Sequence, residues 1–443
     1  MRTSAMARLF VMGALMLGML IPLQMIQSVV SERTARRDAA QQEIGSTWGG
    51  FQTVGGPVLI VPYRHVRTDN DGVARTAIQR TFVLPEALDV KGTLQPTVLR
   101  RGLFTVVVYR AHLTLSGRFV RPDLTAVRPA PSEILWDDAA IAVGISDPRG
   151  LATRLTITWM GRESPLEPGA EEVAIFASGL HTRAAGIGAL ADRASIPFTL
   201  DLDLNASRDL RLLPTGSDTS LQLTSPWPHP SFVGAPLPAS REIGPNGFTA
   251  RWTVPYFSRG YPPQWTGSSI DRAAMRIQAD ASAFGVSLVQ PVDIYQQAER
   301  AVKYAALFIV MTFVVFFLWE IGRGRLLHPI QYSFVGFAMC VFYLLLVSLS
   351  EHLGFDVAYV CASVATTALI GVYSAHVLGG AAEGAAMGGG LVVLYGFLYL
   401  LLRLEDYALL AGSIGLFSML ALLMYATRRV DWYELRLGEA KQP

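Results

Sequence analysis

Four residues pose the first chemical question: Glu351, His352, His376 and Glu383 carry titratable side chains in or beside long apolar runs. Charge is costly at membrane depth, so an ionisable group there is a candidate for handling protons, cations or substrate. His328 and Asp356 stand at the ends of neighbouring runs, and Arg403, Glu405 and Asp406 form a polar turn between the last two. A carboxylate beside an imidazole can work as an acid–base pair or hold a metal. The spacing argues against both. Glu351 and His352 are adjacent, so on a helix they point about 100° apart and do not converge. The chain has no His-Glu-x-x-His zinc pattern and no Gly-x-Ser-x-Gly nucleophile elbow. Interfacial caps and inter-helix hydrogen bonds account for these groups more simply. No catalytic residue, metal ligand or cofactor is assigned.

Glu383 carries a second reading. It lies in GGAAEGAAMGGG (379–390), where Gly380, Gly384 and Gly388 recur at every fourth position. That spacing lets two helices approach closely. It could also break a helix and leave Glu383 to hold a cation or proton. The later spans show no internal repeat of the kind transporters use, so close packing plus a loop is favoured.

A different collection lies outside the apolar runs: Trp227, His229, Phe232, Arg251, Trp252, Tyr256, Phe257, Arg259, Tyr261 and Trp265. Aromatics with arginine mark many binding surfaces, and aromatic faces also suit sugar rings. Trp227, His229, Arg259, Tyr261 and Trp265 are taken as the candidate partner surface. The competing reading is that Trp and Tyr flanked by prolines pin loops onto a sheet. The Asn205-Ala206-Ser207 sequon is read as chance, and Ser146-Asp147-Pro148-Arg149-Gly150 as a turn.

Six apolar stretches must position these groups: Leu9–Ile26, Tyr304–Trp319, Tyr332–Ser350, Val357–Leu378, Ala385–Leu402 and Tyr407–Ala426. Each is close to the roughly 20 helical residues that cross a hydrocarbon core. Lipid offers no partner to backbone N–H and C=O groups, so the spans are expected to be helical. The first is read as an uncleaved signal anchor, because its apolar run is long and no small-x-small cleavage site comes after it.

With six spans both ends share a side. Eight basic residues (Arg2, Arg8, Arg323, Arg325, Arg428, Arg429, Arg436 and Lys441) flank that side. Six (Arg33, Arg36, Arg37, Arg300, Lys303 and Arg403) flank the other. The positive-inside rule then puts both termini in the cytoplasm and the insert in the periplasm. The 37 basic and 35 acidic residues leave no nucleic-acid footprint. Both cysteines, Cys340 and Cys361, fall in the membrane block, so the insert folds without disulfides.

Residues 31–44 continue the first helix until Gly45, Gly49 and Gly50 end it. Short runs rich in β-branched and aromatic residues come next, at 58–63, 81–85, 103–115, 139–145, 154–160, 198–205, 220–225 and 247–254. FTLDLDLN (198–205) alternates strictly, as a strand with one buried and one wet face does. Many short strands with frequent turns indicate a sandwich. A division into two subdomains is expected near the Gly/Ala-rich stretch 178–191. The Pro-rich segments 225–238 and 261–265 are expected to be ordered loops. Asp293 is expected to cap a helix that runs from Ile294 into the membrane without a break.

These stretches carry a family resemblance. GPVLIVPY (56–63), RRGLFTVVVYRA (100–111), SDPRGL (146–151), SPWPHPSFVGAPLP (225–238), GFTARW (247–252) and the long run 286–320 resemble the CreD family of bacterial inner-membrane proteins. The likeness continues through 327–359, 404–417 and TRRVDWYE (427–434), so it covers nearly the whole chain in order. It implies an inner-membrane protein tied to envelope regulation, whose loss or overproduction alters sensitivity to colicins, β-lactams or other envelope insults. It implies no catalytic residue and no ligand.

The expected architecture is an α + β membrane protein with one N-terminal and five C-terminal transmembrane helices and a large β-rich, sandwich-like periplasmic domain. Its parts are the signal anchor (1–30), the periplasmic domain (31–300), the five-helix bundle (301–427) and a cytoplasmic tail (428–443). The expected role is non-enzymatic support of envelope integrity, with the lipid bilayer and an envelope protein or cell-wall glycan as partners. Transport, or handling of lipid or glycan through the intramembrane ionisable residues, is the alternative. The sequence does not specify an oligomeric state.

Overall fold

A computed structural model describes residues 5–68, 74–122, 124, 127, 133–169, 172–184, 187, 195–267, 269–290, 294–323, 327–404 and 407–428. The chain divides into two compact units, Met1–Asp38 with Val292–Pro443, and Ala39–Pro291. The expected domain limits at 31 and 300 therefore lie several residues outside the boundaries between units.

The helices are α1 (Ala5–Thr47), α2 (Arg272–Ser282), α3 (Ile294–Arg323), α4 (Pro329–Leu353), α5 (Phe355–Leu378), α6 (Ala381–Arg403) and α7 (Ala408–Thr427). Among the described residues, α1 and α3–α7 are long and apolar enough to cross a membrane. They fall on the six stretches read from the sequence. The bundle core runs from Met19, Leu23 and Ile26 of α1 to Phe308 and Phe313 of α3. It continues through Phe342 and Tyr343 of α4, Ala358 and Ala362 of α5, and Leu391 and Tyr395 of α6.

Local signals set the ends of these helices. His328 caps α4: its Nδ1 accepts from the Ile330 amide at 3.3 Å, and Gln331 Oε1 accepts from the His328 amide at 2.9 Å. That is a reciprocal capping box, with Pro329 at the first helical position. The small-residue series lets α5 and α6 meet. A Cβ on Gly384 would lie 2.5 Å from the Ala375 Cβ and 2.7 Å from the Gly371 carbonyl oxygen. Only glycine leaves the backbones that close.

The other unit holds two sheets. In one, strand Gln52–Thr68 is central, pairing antiparallel with Ala74–Val83 and Ala140–Ile145 and parallel with Asp209–Leu213. In the other, Ala87–Arg101, Phe104–Val120 and Ser195–Ser207 form a long antiparallel run, with Asp218–Ser225 parallel to Ala87–Arg101. One core joins both sheets, with Val54, Leu59 and Val61 from the first and Leu88, Val90, Leu113 and Leu200 from the second. The alternation at 198–205 does what it predicts. Phe198, Leu200, Leu202 and Leu204 are buried, while Asp201 accepts from the Thr114 hydroxyl and Asp203 meets His112, both at 2.7 Å. A second cluster covers the first sheet's other face with Met275 and Ala279 of α2 and residues Val173–Phe176.

Two expectations need correction. The stretch 178–191 does not separate subdomains: Gly179–Arg183 pairs with Ala140–Ile145, and Ser195–Ser207 pairs with Phe104–Val120. Strands before and after it share both sheets, so no cut there leaves a complete core. The Pro-rich segments are not wholly loops either. Pro230–Gly234 pairs with Phe284–Leu288, and Gln264–Thr266 with Ala74–Val83. Pro230 is tolerated because it opens a strand at the sheet's edge, and Pro262 and Pro263 lie just before the other strand rather than in it. The expected cap Asp293 lies outside the described residues, as do Glu405 and Asp406.

Candidate functional site

The segment after strand Gly247–Pro255 concentrates exposed aromatic surface on a firmly held loop. Pro255 ends the strand, and Tyr256–Ser258 make one turn of 3-10 helix. Residues 259–265 are then fixed from several sides. The Arg259 Nη1 donates to the carbonyls of Pro214, Thr215 and Gly216 at 3.3, 2.5 and 2.9 Å. Tyr261 Oη donates to the Pro214 carbonyl at 3.1 Å. The Leu84 amide donates to the Pro263 carbonyl at 2.9 Å, and Trp265 stacks on Phe82 with centroids 5.5 Å apart. Burial drives the Tyr261 phenol up to about 12 and lowers the Arg259 guanidinium.

Held in this way, the loop turns two rings outward. Tyr256 is 54% exposed and Phe257 75% exposed, and the two rings pack edge to face 5.2 Å apart. Single apolar residues on a surface are ordinary, but a paired aromatic knob on an anchored loop is a feature that partner surfaces use. Beside it, Gly260 packs on Gln278 of α2, whose neighbour Ile277 is also exposed.

The five residues proposed from sequence as a partner surface divide. Arg259, Tyr261 and Trp265 are buried, so they build the loop rather than meet a partner. The correction has a physical cause: the carbonyls at 214–216 receive the arginine, and the first sheet's outer cluster receives both rings. Trp227 is half-buried against the core, and its Nε1 donates to the Val289 carbonyl at 3.0 Å. His229 is exposed. Trp252 lies wholly inside, with Phe232 and Phe284 around it.

The intramembrane candidates do not form one site. Glu351 and His352 end α4, whereas His376 ends α5 and Glu383 lies in the first turn of α6. The 24 residues of α5 separate these pairs by roughly 36 Å. Glu351 is the most engaged. Its side chain is 7% exposed, with Arg33 Nε 3.6 Å away, and Tyr295 Oη donates to its Oε1 at 3.0 Å. Arg37 lies 5.9 Å from the centre of the Tyr295 ring. His352 is exposed, and His376 is exposed with Nδ1 2.9 Å from the Val372 carbonyl oxygen. Glu383 turns its carboxylate back beside Gly380 at the start of α6, where helix-end N–H groups favour negative charge.

Two groupings escape a reading of the sequence. Glu320 is buried inside the bundle, where Tyr332 Oη donates to its Oε2 at 2.8 Å. Its signal is one carboxylate at the end of a long apolar run. Arg33 and Arg37, which serve the sequence reading only as topology markers, stand four apart and so share a helix face. That face meets Glu351 and Tyr295. Among the described residues, no three His, Cys, Asp or Glu side chains gather as metal ligands would.

The family model described as Inner membrane protein CreD matches residues 4–433. Inner membrane protein CreD of Escherichia coli (strain K12) is 33% identical over 437 residues, covering 97% of this chain and 94% of that protein. Among solved structures, a mutant M1 zinc metallopeptidase from Deinococcus radiodurans aligns over 82% of this chain and 95% of its own. Its identity is 11% and its TM-score 0.19, a likeness too slight to bear on fold or function.

Proposed function

The chain belongs to the CreD family of inner membrane proteins, and on that footing we propose that it supports cell-envelope integrity without catalysis. The β-rich unit lies in the periplasm, both termini lie in the cytoplasm, and the unit engages a protein partner of the envelope. The six helices anchor and assemble it in the inner membrane.

One observation carries this reading: the Tyr256–Phe257 pair is exposed on a loop whose neighbours Arg259, Tyr261 and Trp265 are all locked inward. A knob that does not have to be ordered on binding loses little conformational entropy when it docks. Two apolar ring faces with one polar tip, the Tyr256 hydroxyl, suit a protein surface. The dispersal of Glu351, His352, His376 and Glu383 over two ends of α5 favours anchoring over a shared transport or catalytic centre.

A photo-crosslinking phenylalanine analogue placed at Phe257 in the full-length protein tests the reading in cells. It is expected to trap an adduct of one discrete mass that protease digestion removes. The same analogue at Leu103, exposed elsewhere on the unit, is expected to trap none. No adduct at Phe257, the same adduct at both positions, or a protease-resistant adduct of the kind a glycan gives would count against a protein partner here.

A further inference from the structure

We propose that the hairpin tip at Arg100–Leu103 docks on anionic phospholipid headgroups at the bilayer surface that the β-rich unit faces. The hairpin joins Ala87–Arg101 to Phe104–Val120 through a two-residue turn, Gly102 and Leu103. Gly102 stands at φ +59, the left-handed value that glycine supplies at the first position of such a turn. A Cβ there would meet nothing within 4 Å, so the turn has open space beside it. Leu103 is 47% exposed, and Val98 is exposed a few residues behind it. Arg100 and Arg101, both exposed, stand between them. Arg101 pairs with Glu43 at 2.5 Å, whereas Arg100 meets no carboxylate among the described residues.

The tip's direction identifies what it meets. The end of α1 rises along the second strand of the hairpin. Gln41 Nε2 donates to the Thr105 carbonyl at 3.3 Å. A Cβ on Gly45 would lie 2.8 Å from the Ser207 Oγ, and Ser207 pairs with Val108. Gly49, just past the helix, lies against the Asn205 carbonyl, and Asn205 pairs with Arg110. Going back along α1 toward its apolar run therefore goes down the strand toward Leu103. The second chain connection agrees: Thr105 Oγ1 donates to Gln290 Oε1 at 3.2 Å, four residues before α3 begins. The tip and both connections thus share one end of the unit, and both lead into helices long and apolar enough to cross a membrane. That end faces lipid. Arginine beside exposed aliphatic side chains suits a headgroup layer, because the guanidinium takes phosphate oxygens in pairs while Leu103 and Val98 reach toward the acyl boundary. A net positive tip favours anionic lipid over zwitterionic lipid.

The docking is independent of the partner-binding reading. A lipid caught at Leu103 would resist protease, so that position still serves as the control for a protein partner at Phe257. The test is a nitroxide at Leu103→Cys in the full-length protein, with Cys340 and Cys361 replaced by alanine. The protein sits in nanodiscs of phosphatidylcholine, alone or with about a third phosphatidylglycerol. Relaxation by dissolved oxygen and by a water-soluble nickel chelate reads the depth of the label. Both faces of a nanodisc are alike, so orientation in the cell does not enter. With phosphatidylglycerol the label is expected to be shielded from nickel and reached by oxygen. Arg100→Gln is expected to lower the ratio of docked to undocked tips about fivefold. Arg100→Glu is expected to bring the label to the water-like values of a nitroxide at the exposed Ser240→Cys. A label at Leu103→Cys that stays water-like with phosphatidylglycerol overturns the proposal. So does one that is equally shielded with and without that lipid and indifferent to Arg100.

Discussion

At the scale of single residues, burial decides which polar groups shape the fold and which remain free to act. Gln52 shows the first kind. Its wholly buried amide donates to the Gly49 and Asp147 carbonyls at 2.7 and 2.8 Å, and its Oε1 accepts from the Ser146 hydroxyl at 3.1 Å. This knot explains why a turn at 146–150 carries so specific a sequence. In it the Arg149 guanidinium, gripping Asp147 at 2.6 Å, holds the carboxyl below its usual range. A depressed value favours the ionised, folded form. That contribution is therefore complete above the unfolded value of about 3.9 and fades as pH falls through the folded value. Asp147→Asn is expected to lower the denaturation midpoint at neutral pH, and the gap from wild type is expected to close below about pH 4. Denaturant melts of the full-length protein in nanodiscs at both pH values check this. A gap that stays constant would remove the ionic part of the explanation.

Among elements, legibility tracks the strength of the local pattern. The six spans are readable because lipid tolerates little else, and Ser195–Ser207 because Leu and Asp alternate along it. Ala87–Arg101 is not: Lys91, Gly92 and Pro96 interrupt its pattern, and its long pairing with Phe104–Val120 supplies what its own residues do not. Helix α2 has its signals, an Asp271 cap and Met275, Ala279 and Ser282 spaced along one buried face, but it is short and runs almost directly into the strand Phe284–Leu288. Arg259 is unreadable as an interior residue, because the carbonyls that receive it lie more than forty positions earlier. The small-residue series in α6 is legible as a packing face, and it supports a sharp contrast. Gly384→Ala is expected to push α5 from α6 and cost about 2 kcal/mol. Gly389→Ala, which has nothing within 4 Å of its added Cβ, is expected to be neutral or mildly stabilising. Unfolding titrations of the two variants in mixed detergent check this, and equal losses would mean that Gly384 is not at a tight interface.

For the whole molecule, the account is one of division of labour. A bundle in which Glu351 and Glu320 are engaged by neighbouring side chains and His328 caps a helix holds the chain in the inner membrane, and the β-rich unit presents an anchored aromatic knob. Topology is the first thing this requires. With Cys340 and Cys361 replaced by alanine, a single cysteine introduced at the exposed Ser240 is expected to react in intact cells with a maleimide that crosses only the outer membrane. Labelling only after the inner membrane is opened would reverse the orientation. The most direct test of the central claim is rescue of an envelope-stress phenotype in a deletion strain by a Tyr256→Ser, Phe257→Ser double variant, at abundance matched to wild type. The account predicts that the double variant accumulates normally and fails to rescue. Full rescue by the double variant would contradict the account, because the knob would then have no part in function.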